Sequence, residues 1–187
     1  MDDQTQRQVT RWWQSMFLHA SELKEKGIVP APTSQKAQLK RCANVEGAML
    51  TTGFQVLWQS LPDTVTETYT TKGIESWATI AAVLVCVKKD ISTSLAKAAG
   101  QKREGSDKST VSELRFAQLQ NAKTPNELLI RLRRIIQQLE GSVNVALLAS
   151  DIQQWYEEFY QLRPRKADKR ICTQWAMDYY RAASTKK

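Results

Sequence analysis

Apolar side chains recur at three- and four-residue intervals from one end of this chain to the other, and nowhere do they alternate long enough to make a strand. Residues spaced in this way share one stripe of an α-helix, so the chain is read as all-α. Val9, Trp12, Trp13, Met16, Phe17 and Ala20 give an opening helix that ends near Gly27, with the Trp pair in the core. Pro30 and Pro32 break the chain before Thr33 and Ser34, which can cap a short helix carrying Lys36, Lys40 and Arg41. Leu50, Phe54, Leu57, Trp58 and Leu61 mark the buried face of the next helix. From Pro62 to Gly73 the Thr-rich sequence has no period and reads as an exposed loop, after which Trp77, Ile80, Ala81, Leu84 and Val85 resume the helix.

Gly100 to Lys108, rich in Gly, Ser and charge, reads as a mobile linker. The expected organisation is therefore two bundle-like lobes, residues 1–99 and 110–187, joined by a loop at 100–109. In the second lobe Thr110 and Glu113 have capping-box spacing, and Thr124-Pro125-Asn126-Glu127 adds Pro at the first helical position to another such box. Leu128, Leu132, Ile135, Ile136 and Leu139 point inward on that helix, which stops at Gly141. Leu148, Ile152, Trp155 and Phe159 define a further helix, and Ile171, Cys172, Trp175 and Tyr179 the last.

Little in the chain suits catalysis. Its one His, His19, falls within the opening apolar helix, so no imidazole is placed against a nucleophile. Asp151, Glu157 and Glu158 read as the solvated side of a helix rather than carboxylates converging on a metal. Three scattered cysteines, Cys42, Cys86 and Cys172, lack paired spacing and read as buried free thiols. No Gly-rich phosphate loop is present, and neither enzymatic activity nor a cofactor or metal is expected. The longest apolar run, Ile80 to Val87, is too short to span a bilayer, and the start lacks a signal-peptide pattern, so a cytoplasmic protein without membrane association is expected.

Charge is the stronger functional signal. Twenty-seven Lys and Arg against 19 Asp and Glu leave a formal +8, a balance that favours polyanionic partners. The excess is concentrated between residues 88 and 134, where eleven cations, Lys97, Arg115, Lys123, Arg131, Arg133 and Arg134 among them, face five carboxylates. A rotation of roughly 100° per residue puts Arg134 opposite the leucine stripe and Arg131 and Arg133 on its flanks, all three within reach of solvent. A second cluster is Arg163, Arg165, Lys166, Lys169 and Arg170, and a third is Lys36, Lys40 and Arg41. Guanidinium suits phosphate because its planar fork donates two hydrogen bonds to it. With no base-reading motif in the sequence, the expected contacts are to phosphate and sugar, salt-sensitive and nearly blind to sequence. Tyr69, Tyr156 and Tyr180 are the aromatics least committed to a core. A scaffold whose basic patches meet acidic partner subunits fits the same charge pattern.

Val111-Ser-Glu-Leu-Arg-Phe-Ala-Gln-Leu-Gln-Asn-Ala122, followed by Asn126-Glu-Leu-Leu-Ile-Arg-Leu-Arg-Arg-Ile-Ile136, resembles the pattern of the CasB family, the small subunit of the type I-E CRISPR surveillance complex Cascade. The likeness continues through Val143 to Trp155 and Arg170 to Tyr180, and upstream in Lys36 to Arg41. It implies a non-catalytic helical subunit, present as two copies packed head to tail among other Cascade subunits, that contacts guide RNA and target DNA and holds the displaced strand. Lys40, Arg41, Arg115, Arg133, Arg134 and Arg170 match the family's basic positions, and Lys123 lies where the family often has one. The helical angle of Arg115, between Val111 and Leu119, suits a core anchor or a lobe interface as well.

Overall fold

The computed structural model describes residues 1–67 and 70–185. Helices dominate, in the order α1 (Asp3–Phe17), α2 (Ala20–Glu25), α3 (Thr33–Arg41), α4 (Val45–Met49), α5 (Thr52–Ser60), α6 (Asp63–Thr66), α7 (Thr71–Leu84), α8 (Leu95–Gly100), α9 (Glu113–Gln120), α10 (Pro125–Gln138), α11 (Val145–Phe159) and α12 (Ile171–Ser184). Apart from a 3₁₀ turn at Ala167–Lys169, the described residues are all-α but for two-residue strands, β1 (Lys89–Asp90) and β2 (Ser142–Val143), paired in parallel. A pair so short has no room for a period-two pattern, which is why sequence spacing does not reveal it.

The centre of the molecule is α7. Every residue from Ser76 to Leu84 is buried, as a helix apolar on all sides requires, and α4, α5, α10 and α11 pack around it. The two hydroxyl side chains of this stretch are satisfied: the Ser76 hydroxyl donates to the Gly73 carbonyl at 2.8 Å, and the Thr79 hydroxyl shares a 2.7 Å hydrogen bond with the Tyr156 hydroxyl. From α1, Trp12 donates its indole N–H to the Gly53 carbonyl and Trp13 to that of Val87, each at 3.1 Å. Both rings thus lie in the core with their polar handles satisfied.

Several boundaries differ from the sequence reading. The opening helix stops at Phe17, and exposed His19 becomes the N-cap of α2, with the Glu22 carboxylate accepting its backbone N–H at 3.1 Å. The expected helix around Leu50 is divided into α4 and α5 by a cap at Thr51, and this leaves Leu50 87% exposed rather than inward. The Thr-rich stretch holds the single turn α6, and α7 starts at Thr71 with the Thr70 hydroxyl accepting from Gly73 N–H at 3.2 Å. The Thr110–Glu113 box does not form: Thr110 donates its hydroxyl to the Gln101 carbonyl, and Ser112 is the N-cap of α9. Thr124 caps α10 as expected, accepting from Glu127 N–H, while the Glu127 carboxylate reaches Lys123 N–H at 3.0 Å.

The 100–109 segment is a short hairpin that turns at Gly105, bridged between Lys102 and Ser109 and closed below by Val111 N–H to the Ala99 carbonyl at 3.0 Å. Apolar side chains from before and after it enter one buried cluster. At its start Gly100 lies against α12 so closely that a β-carbon would come 2.1 Å from the Tyr179 carbonyl oxygen. The β1–β2 pair ties the end of α7 to the end of α10. Gly141 makes it possible, with φ of 83° and a carbonyl that accepts from both Lys88 and Lys89 N–H. Asp90 then accepts Val145 N–H at 2.9 Å, fixing the start of α11.

Candidate nucleic-acid interface

The basic residues singled out by sequence divide into those the fold spends and those it leaves available. Arg133 is spent. Its Nε donates to the Ala82 carbonyl at 3.0 Å, Nη1 to that of Cys42 at 2.8 Å and Nη2 to that of Leu39 at 2.7 Å. It thus bolts α10 onto the C-terminal ends of α3 and α7, where unsatisfied carbonyls and the helix dipole attract a cation. The expectation that Arg133 reaches solvent is corrected: it flanks the leucine stripe on the side covered by those two helix ends. Arg131 is half spent, with a 2.9 Å ion pair to Glu127 one turn back and a hydrogen bond to the Gln118 carbonyl of α9.

Arg134 and Arg115 stand exposed on either side of the groove between α9 and α10. With Arg131 and the amides of Gln118, Gln137 and Gln138 they line a cleft of about 470 Å³. Neither forms an ion pair among the described residues, so the cleft offers two open guanidiniums beside amide donors. Arg115 therefore faces solvent rather than anchoring the core. Lys123 is exposed in the loop joining the two helices, at one end of the same surface.

The cluster around Pro164 also divides. Arg165 is drawn back onto α11 by Glu157 at 2.9 Å and Glu158 at 3.7 Å, whereas Lys166, Lys169 and Arg170 are exposed, Lys169 with Asp168 at 3.6 Å. Glu157 and Glu158 are thus not a solvated face. Glu157 also lies 3.7 Å from Arg163, and Glu158 accepts Ile171 N–H at 2.9 Å and so caps α12. On α3 the Lys36 ammonium sits 3.5 Å over the Phe17 ring and donates to the Met16 carbonyl, and burial lowers its pKa. Lys40 and Arg41 remain exposed at the end of that helix.

Exposed Lys97 opens onto a different hollow of about 750 Å³, shared with Ser92, Thr93, Lys102 and Arg181. Arg181 is a residue that cluster-based reading of the sequence misses, because no other cation neighbours it along the chain. Its signal is its place off the Ile171–Trp175–Tyr179 stripe, which directs it outward from α12. Among the tyrosines, Tyr180 is half exposed, but Tyr156 is 2% exposed and belongs to the core, where burial pushes its hydroxyl well above the ordinary range. Tyr69 lies outside the described residues.

Asp151, read as solvated, is instead packed against α12, where it accepts the Trp175 indole N–H at 2.9 Å. Burial raises its pKa to about 6 against the lowering effect of that hydrogen bond, with nearby Asp178 adding to the rise. Cys42, Cys86 and Cys172 are free and only partly buried, and burial raises the thiol pKa of the latter two. Among the described residues no group of three His, Cys, Asp or Glu could hold a metal ion. None of their helices is long and apolar enough to cross a membrane.

A family model for CRISPR-associated protein Cse2 matches residues 35–180, from α3 to near the end of α12. The chain belongs to the Cse2 family. Membership makes it a CRISPR Cascade subunit, in agreement with the CasB-like motifs of the sequence. The matched span takes in the α9–α10 groove, the cluster around Pro164 and Lys40 and Arg41. No curated protein and no solved structure matches the chain.

Proposed function

We propose that this Cse2 protein is a non-catalytic small subunit of a cytoplasmic type I-E Cascade that stabilises the R-loop by holding nucleic-acid backbone on shallow basic patches. The observation that carries the reading is the α9–α10 groove, in which Arg115 and Arg134 stay exposed and without carboxylate partners while their neighbours are consumed by the fold. Exchange of a DNA duplex for a guide–target hybrid is close to balanced, so a few modest backbone contacts are enough to tip it. Lys40, Arg41, Lys97, Lys123, Lys166, Lys169 and Arg170 extend the same backbone contact to guide RNA, target strand and displaced strand. Arg131, Arg133 and Arg165 support it from behind by fixing the helices.

The exposed apolar residues Leu50, Leu114, Met177 and Tyr180 favour protein contacts elsewhere on the surface, to other Cascade subunits and to a second copy packed head to tail. A scaffold that meets only acidic partners is the competing reading. The test is R-loop lifetime in a reconstituted complex. Arg115→Glu with Arg134→Glu shortens it while the subunit still incorporates; normal incorporation with a normal lifetime favours the scaffold.

A further inference from the structure

On the side of the molecule formed by α11 and α12, a cavity of about 640 Å³ opens between the end of α11, the turn after it and the start of α12. That volume falls within the range of small-molecule sites, roughly 300–1,000 Å³. The αL conformation of Gln161, with φ of 54°, swings the chain back across the end of α11 and brings Arg163 and Arg165 over the cavity. An aromatic stack forms one wall: Trp155 and Phe159 lie 4.8 Å apart and 11° from parallel, Trp155 buried and Phe159 38% exposed.

The charged groups are sorted. Glu158, the lining carboxylate, is occupied by Ile171 N–H, by Gln154 and by Arg165, so it presents no open charge to a ligand. Arg170 forms no ion pair among the described residues, and Arg163 has only a 3.7 Å approach to Glu157. Two available guanidiniums thus border a half-exposed aromatic ring, with the Thr173 side chain beside them.

We propose that this cavity takes one unstacked base of a single-stranded nucleic acid. The base extends the stack on Phe159, and the flanking phosphates lie against Arg163 and Arg170. Every base has a π-face, so the contact is tolerant of sequence but requires a strand whose bases are not paired. The inference rests on the backbone-binding reading above and adds a base contact to it.

The test compares binding of a labelled oligothymidylate of about ten nucleotides with that of an abasic strand of equal length and charge. The 187-residue chain binds oligothymidylate about 5- to 150-fold more tightly at the same salt, the range expected for one stacked base. Phe159→Leu, which keeps an apolar side chain against Trp155, reduces that ratio to within about twofold and leaves the salt dependence unchanged. Equal salt-dependent affinity for both strands in the unmodified protein, or a ratio retained in Phe159→Leu, overturns the pocket alone. Absence of salt-dependent binding to either strand overturns the pocket together with the reading beneath it.

Discussion

Arg133 and Arg134 are neighbours in sequence with opposite fates, because successive residues on a helix project about 100° apart. Arg133→Ala removes the guanidinium donor from three helix-end carbonyls, leaving those of Leu39 and Ala82 only thiol contacts from Cys42 and Cys86, and lowers stability by about 3 kcal/mol, read from the urea midpoint. Arg134→Ala changes it by less than about 0.5 kcal/mol. Asp151 makes a pH prediction. Its folded-state pKa of about 6 lies above the ordinary 3.8, so folding takes up a proton between those values. The cost of burying the carboxylate is absent below about pH 4 and grows until pH passes 6. Asp151→Asn, which can still accept from Trp175, raises the melting temperature at pH 8 by the equivalent of about 1–3 kcal/mol and leaves it nearly unchanged at pH 4. The exposure of Arg134 is legible in the sequence, but the fates of Arg133 and Asp151 are not. The helical angle places Arg133 beside the stripe, but only the tertiary fold supplies the ends of α3 and α7 that consume it.

Helices were legible where local chemistry marks them. Thr124, Pro125 and Glu127 define the start of α10, and its leucine stripe gives the buried face. The long apolar run around Ile80 likewise identifies the central helix. Where the chain bends without Gly or Pro, as at Leu18 and His19, the apolar period carries on through the bend and conceals it. The β1–β2 pair and the close approach of α8 to α12 are long-range contacts with no local signature. Gly100 holds that approach open, so Gly100→Ala, driving a methyl group into the Tyr179 backbone, lowers stability by about 1–3 kcal/mol or more in chemical denaturation. Gly100 is the last residue of α8, so the propensity gain from alanine is smaller than the roughly 1 kcal/mol of a helix interior.

At the scale of the whole molecule, a formal +8 gives a general attraction to polyanions, but the ion pairs decide where that attraction is usable. Glu127, Glu157 and Glu158 neutralise Arg131 and Arg165, and the open cations line different hollows: Arg115 and Arg134 one, Arg170 another, Lys97 and Arg181 a third. The sequence located the clusters, and the carboxylates that silence part of each cluster become visible only when helix ends and turns meet. Binding through dispersed phosphate contacts has a distinctive consequence, since each neutralised phosphate adds about −0.7 to the slope of log affinity against log salt for a single strand. The most direct measurement is that slope for the unmodified chain and for an Arg115→Glu, Arg134→Glu, Arg170→Glu variant with an unchanged circular dichroism spectrum. The account predicts a steep negative slope that the variant flattens by about 2, from about three lost contacts. Identical slopes in the two proteins, or no salt-dependent binding by either, contradict it.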